Sequence, residues 1–405
     1  MTKKRVLYIS YDGLTDPLGQ SQIIPYLSGL SKKGYDITIL SNEKPGNYAE
    51  NRAVVEEKLK AANIEWKFTF YSNKPPVVST AFGVRRMRKL AYYLAKKQSF
   101  DIIHRRSILS TMVGDSVRKK FGGKLIFDIR GFWADERVEG GLWNLDNKLY
   151  KAIYNYFKKK EKEFFRTADA VITLTENAKK HVLANFETKK NFQVVPCAVD
   201  LSHFSTNNLN QTLIADLKVK WGIGEGDFVL SYVGSLGTRY RLKEMLLFFK
   251  QLQFLQPESK FLFITKSDTT QIDQYCSELN IDSNRVITDS CTYQDIPNYI
   301  AVSQASIFFI VTSFSGKAVS PTKQGEIMSM GLPIVCNADL GDSDTILKDT
   351  NTGIIPADYS SEALKKSAEE LLNFQTTADE IKSAAAAYFS LEKATERYHQ
   401  VYQNL

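Results

Sequence analysis

The sequence has 405 residues, of which 43% are hydrophobic and 12% aromatic, a content that excludes an intrinsically disordered chain. That length exceeds one ordinary core and points to two domains of roughly 200 residues each. A formal net charge of +8 suits an anionic partner, whether nucleic acid, a phosphorylated substrate or an acidic membrane surface.

Cys197, Cys276, Cys291 and Cys336 are scattered with no Cys-x-x-Cys spacing, and histidines are few, so neither a disulfide framework nor a zinc site is expected. The expected compartment is a reducing cytosol. MTKKR leads straight into a strand pattern with no stretch resembling a signal peptide, and no apolar run reaches the length of a membrane span. Any membrane attachment is therefore expected to be peripheral.

Strand-like runs at 6–10, 37–40, 67–71, 102–104, 125–128, 171–174 and 193–195 alternate with helix-like segments. A second set follows at 229–233, 261–265, 285–288, 306–311 and 334–336. This alternation predicts an α/β fold of two Rossmann-like domains in series, each a parallel sheet with helices on both faces. The polar, Asn-rich stretch 200–211 is the expected seam, giving domains at 1–203 and 204–387 and a closing amphipathic helix at 388–405.

Ligands of doubly wound sheets bind beyond the carboxyl ends of the strands, so residues just after each strand are the candidates. After the first strand, YDGLTDPLGQS brings Gly19, Gln20 and Ser21 to an expected helix start; without Gly-x-Gly-x-x-Gly, a dinucleotide dehydrogenase is disfavoured. Two basic amphipathic segments follow. One holds Arg85, Arg86, Arg88, Lys89, Lys96 and Lys97, and the other spans 148–166 with Lys158, Lys159, Lys160 and Lys162 among aromatics. Either they lie on anionic lipid headgroups or they are surface helices with aromatics turned inward.

Between the two segments, Arg106 and then Asp128, Arg130, Asp135 and Glu136 form the densest polar cluster of the amino-terminal half. The arginines suit anionic oxygen, and the carboxylates suit orienting or deprotonating a hydroxyl; ion pairs among the four are the alternative. In the second half, Gly234 and Ser235 end a strand where backbone approaches a ligand closely, followed by Arg239, Arg241 and Lys243. Lys266 ends the next strand, and Ile287 and Tyr293 mark the strand and loop after it.

The chain is organised around FSGKAVSPTKQGEIMSMGLPIVCN, residues 314–337. Ser320 is the expected N-cap, Pro321 the first helical residue and Gly331 the stop, so that Thr322, Lys323 and Glu326 share a helix face. The helix amino end, with Gly316 and Lys317 before it, suits an anion such as diphosphate, while Glu326 further in suits sugar hydroxyls. That division suits a nucleotide-sugar.

This stretch resembles the donor-binding motif of family 4 glycosyltransferases, which are retaining, GT-B-fold enzymes. The resemblance implies that Glu326 holds the ribose, followed by the SMGLPIV turn and strand. A second glutamate usual eight positions earlier is here Ala318, and SPTK resembles a branch that replaces it. The usual Gly-Arg reads Gly234-Ser235, and Tyr240 stands near a usual lysine, so the diphosphate's cations are expected from Arg239, Lys266 and Lys323. By the same resemblance Gly19 and Gln20 lie against donor phosphate or acceptor, and the 128–136 segment faces the acceptor. Ile287 and Tyr293 contact the nucleobase, 194–204 joins the domains, and the last helix crosses back to the first domain.

Together these readings predict a retaining glycosyltransferase moving a sugar to a hydroxyl of a glycan or lipid-linked acceptor in bacterial surface polysaccharide or glycoconjugate synthesis. Asp135, Glu136, Arg130, Lys323 and Glu326 are its expected catalytic residues. Cationic side chains and a helix amino end stand where a metal would otherwise offset the leaving diphosphate, so no cofactor or metal is expected. Peripheral contact with an anionic membrane is expected, and nucleic acid is not. A noncatalytic nucleotide- or glycan-binding module and a nucleotide-sugar epimerase or hydrolase are the alternatives.

Overall fold

The computed structural model describes residues 3–72, 74–75, 77–188 and 191–405, and its strands form two separate sheets. In the first, β1 (Arg5–Ser10), β2 (Asp36–Glu43), β3 (Glu65–Phe70), β4 (Ile102–Arg106), β5 (Lys124–Asp128), β6 (Ala170–Thr173) and β7 (Phe192–Val194) run in the order β3-β2-β1-β4-β5-β6-β7, every pair parallel. In the second, β8 (Val229–Val233), β9 (Lys260–Ile264), β10 (Val286–Asp289), β11 (Ala305–Phe308), β12 (Ile334–Cys336) and β13 (Gly353–Ile354) run β10-β9-β8-β11-β12-β13, again all parallel. The order reverses beside β1 in one sheet and beside β8 in the other, so each has its switch point at the carboxyl end of its first strand. Central strands such as β8, VLSYV, are buried along their whole length, as parallel strands covered on both faces must be.

All twelve expected strands are present, and β13 is the addition. It has two residues and follows Asn351, whose φ of +49° closes the preceding helix, so it is too short for any periodicity to reveal. The apolar run 306–311 pairs in parallel only through Phe308; Ile310 then leaves the sheet and bridges antiparallel to Tyr240.

The chain forms two compact units, one running to Pro196 and taking up Leu391–Leu405, the other Cys197–Ser390. The seams thus stand at 196/197 and 390/391, where the sequence pattern predicts 203/204 and 387/388. Residues after Cys197 belong with the second unit because Val199 donates its N–H to the Phe389 carbonyl and pairs with Ser390. The last helix, Leu391–Gln403, packs in the first unit, burying Ala394, Tyr398, Val401 and Tyr402. No helix among the described residues is long and apolar enough to cross a membrane.

Candidate active site

In the second unit the helix Thr322–Ser329 starts one residue later than the sequence suggests. Pro321 is its N-cap and gives no side-chain cap, while Ser320 Oγ instead accepts the Cys197 N–H at 3.1 Å. The helix packs tightly at Gly325 against the Phe389 and Val199 side chains, where a Cβ would lie 3.0 Å from the Phe389 Cβ. Gly331, at φ +77°, turns the chain towards β12, and Ala318 is buried.

Lys323, on the first turn, is 7% exposed. Its Nζ lies 4.3 Å from the ring centre of Tyr232, 4.2 Å from that of Tyr240 and 5.9 Å from that of Phe308, and donates to the Tyr232 hydroxyl at 3.3 Å. Tyr232 Oη in turn donates to the Ser235 carbonyl at 2.6 Å. Gly234, at φ +133°, closes this cage: a Cβ there would meet Lys323 Nζ at 2.9 Å. Burial among aromatic faces pulls the Lys323 ammonium down to about 7, and the nearby Glu326 charge only partly offsets that. Glu326, half-buried, moves the opposite way for the same reason, its carboxyl pushed up to about 7 by burial against the opposing pull of Lys323.

Glu326 also faces Tyr293, whose hydroxyl is pushed up by burial and by the Glu326 and Asp200 carboxylates. The Tyr293 ring stacks on His203 at 4.8 Å and 22°, and His203 Nε2 reaches the Tyr293 carbonyl at 3.1 Å. Asp200 orders that turn by accepting from Ser202 N, Ser202 Oγ and His203 N. Thr322, half-buried, starts the helix, and Ile287 lies in β10 at the edge of the sheet.

Of the three cations expected for diphosphate, only Lys323 is built into the Gly234 turn. Arg239 is exposed beside Tyr240, and Lys266 is exposed near Cys291. The loop after β8 is tied instead to the loop after β9, through Leu236 N donating to Ser267 Oγ at 2.9 Å.

The first unit separates residues that stand together in the sequence. Arg106 and Arg130 converge on Asp128, which is fully buried. Arg130 Nη1 lies 3.7 Å from Asp128 Oδ1 and 3.3 Å from the Tyr398 hydroxyl, which donates to Asp128 Oδ2 at 2.9 Å. His104 Nε2 stands 3.3 Å from the same oxygen, with its Nδ1 2.8 Å from Tyr402 Oη. Burial alone would raise the Asp128 carboxyl, but Arg130, His104 and Arg106 outweigh it and hold it at about 2. Arg106 also reaches towards Asp12, 3.9 Å from its Nε.

Asp135 sits apart from that cluster. Its carboxylate accepts from Lys158 Nζ and Tyr154 Oη, both at 2.8 Å, and Lys158 also meets the buried Glu161 at 2.6 Å. Asp135 is thus held as a structural ion pair, a correction to its expected place beside Arg130. Glu136 lies against Gly131, where a Cβ would collide with its Oε1.

Gly19 is likewise displaced from the expected helix start. The helix Pro17–Gln22 already contains it, and the close approach is to Gly13, whose carbonyl oxygen a Cβ on Gly19 would strike. Gln20 turns back on this loop, Nε2 donating to the Thr15 carbonyl at 3.5 Å. The loop itself is held by Glu43, a fully buried carboxylate that accepts from Leu14 N at 2.7 Å, Thr15 N at 3.1 Å, Thr15 Oγ1 and Ser41 Oγ. Sequence reasoning misses Glu43 because it ends a strand pattern with no motif around it; only a carboxylate closing the run DITILSNE hints at it.

The family model Glycosyltransferase Family 4 matches residues 26–203, and Glycosyl transferases group 1 matches residues 214–388. The chain belongs to the family 4 glycosyltransferases. Its two Rossmann-like units are the GT-B fold, as in a glycosyltransferase from Rickettsia africae ESF-5, 16% identical with a TM-score of 0.72 over 100% of this chain and 99% of that one. Anabaena Alr3699/HepE in complex with UDP-glucose is 14% identical, with a TM-score of 0.69 over 99% of this chain and 100% of that one. The alpha-monoglucosyldiacylglycerol synthase of Streptococcus pneumoniae is 20% identical over 284 residues, 65% of this chain; the match spans 59% of that relative's length.

Proposed function

We propose that this family 4 glycosyltransferase takes a nucleotide-sugar donor and transfers the sugar, with retention, to a hydroxyl of a glycan or lipid-linked acceptor in bacterial surface polysaccharide or glycoconjugate synthesis. The observation that carries the reading is Lys323, a buried ammonium whose nearest groups are three aromatic rings and the Gly234 turn. Among the described residues no carboxylate lies within ion-pair distance of it. Keeping a cation there is costly to the fold, and an anionic ligand repays it. The Anabaena protein, solved with UDP-glucose, supports a sugar diphosphate as that ligand.

In this reading Lys323, the amino end of its helix at Ser320, Pro321 and Thr322, and the backbone at Gly234 and Ser235 take the diphosphate. Arg239 and Lys266 add peripheral charge, Glu326 holds the ribose hydroxyls, and Tyr293 and Ile287 border the base. Charge develops on the departing diphosphate as the sugar C1–O bond breaks, which is what a desolvated ammonium stabilises most. The acceptor oxygen bonds C1 on the same face and its proton passes to the leaving phosphate, so no protein nucleophile and no metal takes part. Arg106, Arg130, Asp128, Gln20 and Gly19 form the acceptor side, with Glu136 orienting the hydroxyl and Asp135 supporting it through Lys158. The enzyme works on the cytoplasmic side in peripheral contact with the membrane.

The test is nucleotide release from a panel of sugar donors, with and without acceptor glycans and with a chelator throughout. Acceptor-dependent release that survives chelation is expected. Release without acceptor points to a hydrolase, and none with any donor to a binding module; loss of release on chelation overturns the metal-free mechanism.

A further inference from the structure

The helix Val78–Lys97 carries six cations and no Asp or Glu. Val78, Phe82, Arg85, Lys89 and Lys96 follow one another at helical spacing along its outer side, all exposed, with Phe82 at 57%. The helix Lys148–Thr167 has a similar exterior. Leu149, 63% exposed, and Tyr156 lie two turns apart beside Lys148, Lys151 and Lys159, and Leu142 in the preceding turn is 59% exposed. Other side chains of that helix are accounted for by packing: Phe164 and Phe165 are core, Lys158 pairs with Asp135 and Glu161, and Lys160 pairs with Glu163.

The two helices belong to one layer. They follow β3 and β5, and right-handed crossovers in this strand order put them on the same face of the sheet, flanking the helix Ser107–Phe121, which packs against both. Two separated outer faces of one layer thus share a composition, exposed apolar side chains set among lysines and arginines. A fold gains nothing by exposing Phe82 and Leu149, and a purely electrostatic partner gains nothing from them either. A surface with an anionic exterior and an apolar interior uses both kinds of group.

We propose that the outer faces of Val78–Lys97 and Lys148–Thr167 together form a docking surface for an anionic phospholipid bilayer. Phe82, Leu149 and Leu142 enter the acyl boundary, and Arg85, Lys89, Lys151 and Lys159 meet the phosphate layer. Two contacts fix orientation as well as affinity. This deepens the peripheral-membrane part of the functional reading and is independent of which sugar or acceptor is used.

The test is flotation of the full chain with vesicles of phosphatidylcholine alone or mixed with phosphatidylglycerol, without donor or acceptor. Binding is expected only to the anionic vesicles, and raising salt from about 0.1 M to about 1 M, which shortens screening from about 10 Å to about 3 Å, should weaken it. Phe82→Ser with Leu149→Ser, and separately Arg85→Glu with Lys89→Glu, should each lower partitioning by about tenfold or more. All four positions are exposed, so thermal melts should match the parent. Absence of vesicle binding by the parent chain overturns the proposal, as do variants that bind unchanged or retention by duplex nucleic acid with none by vesicles. Failure here leaves nucleotide release from sugar donors unaffected, and the two readings are separable.

Discussion

Lys323 Nζ lies 4.2 Å from the centre of the Tyr240 ring, so the residue that stands near the family pattern's lysine is here one wall of a cage around a different cation. A buried ammonium with no carboxylate within ion-pair distance carries a desolvation cost that an apolar side chain of similar volume does not. Lys323→Met should therefore raise or preserve Tm while abolishing nucleotide-sugar binding. A structural lysine would show the reverse, and calorimetry with melting curves decides between them.

The same burial makes donor binding pH-dependent. The Lys323 ammonium, with its ionisation pulled down to about 7, is increasingly neutral above that pH, and a diphosphate must restore its proton on binding. Affinity for a nucleotide-sugar, whose diphosphate carries no ionisation near neutrality, should fall as pH rises from about 7 to 9, by at most about tenfold for each pH unit. Proton uptake on binding, measured by titration in buffers of different ionisation enthalpy, should approach one above about pH 7. Lys323→Arg should flatten the dependence, because guanidinium stays charged.

Glu326 should act on the nucleoside and not on the phosphates. Hydrogen bonds to a carboxylate are worth about 1.5–3 kcal/mol, so Glu326→Gln should weaken nucleoside diphosphate binding by roughly 10- to 150-fold. Inorganic pyrophosphate lacks the ribose, and its affinity should stay within about twofold. Equal losses for both ligands would remove Glu326 from the ribose.

What is legible in the sequence depends on what each feature requires. Long apolar runs such as VLSYV and KFLFI declare buried parallel strands through composition alone, and the glycines at 234 and 331 mark turns because their φ values exclude side chains. Lys323 and Glu326 are legible from helical spacing. The choice among Arg239, Lys266 and Lys323 is not, because it depends on which side chain a tertiary cage encloses. Asp135 is misplaced by its sequence neighbours for a related reason: its partner Lys158 lies on a separate helix, and no local pattern reports such a pairing. Glu43 and His104 carry no motif because each stands in a polar strand end, SNE and HRR, whose partners only the fold supplies.

Glu43 should prove a positioning residue for the loop after β1. Trp66 Nε1 donates to Ser41 Oγ at 2.8 Å, so that hydroxyl's own proton goes to Glu43, and all four groups around the carboxylate are donors. Glu43→Gln places an NH2 against one of them and should cost about 1–3 kcal/mol of stability. If the loop sets the acceptor side, acceptor KM should rise several-fold with donor affinity unchanged, and Glu43→Asp should recover part of it. A variant that only lowers Tm would confine Glu43 to the fold.

Asp128 ties the last helix to the first sheet, and its ionisation should be visible in acid. Its folded value, about 2, lies below the ordinary 3.8, so the folded state favours the carboxylate and its contribution is complete above about pH 4. As pH falls from there through about 2, up to about 2 kcal/mol is lost, since each tenfold difference in proton affinity between the folded and unfolded chain is worth about 1.4 kcal/mol. Tyr398→Phe removes one donor to that carboxylate without removing a charge, and should cost about 1–3 kcal/mol near neutrality. It should also move the acid limb of stability to higher pH, since fewer groups then hold the carboxylate ionised. Urea melts from about pH 2 to 7 measure both effects, and superimposable acid limbs for parent and Tyr398→Phe would mean that Arg130, His104 and Arg106 set the charge of Asp128 without Tyr398.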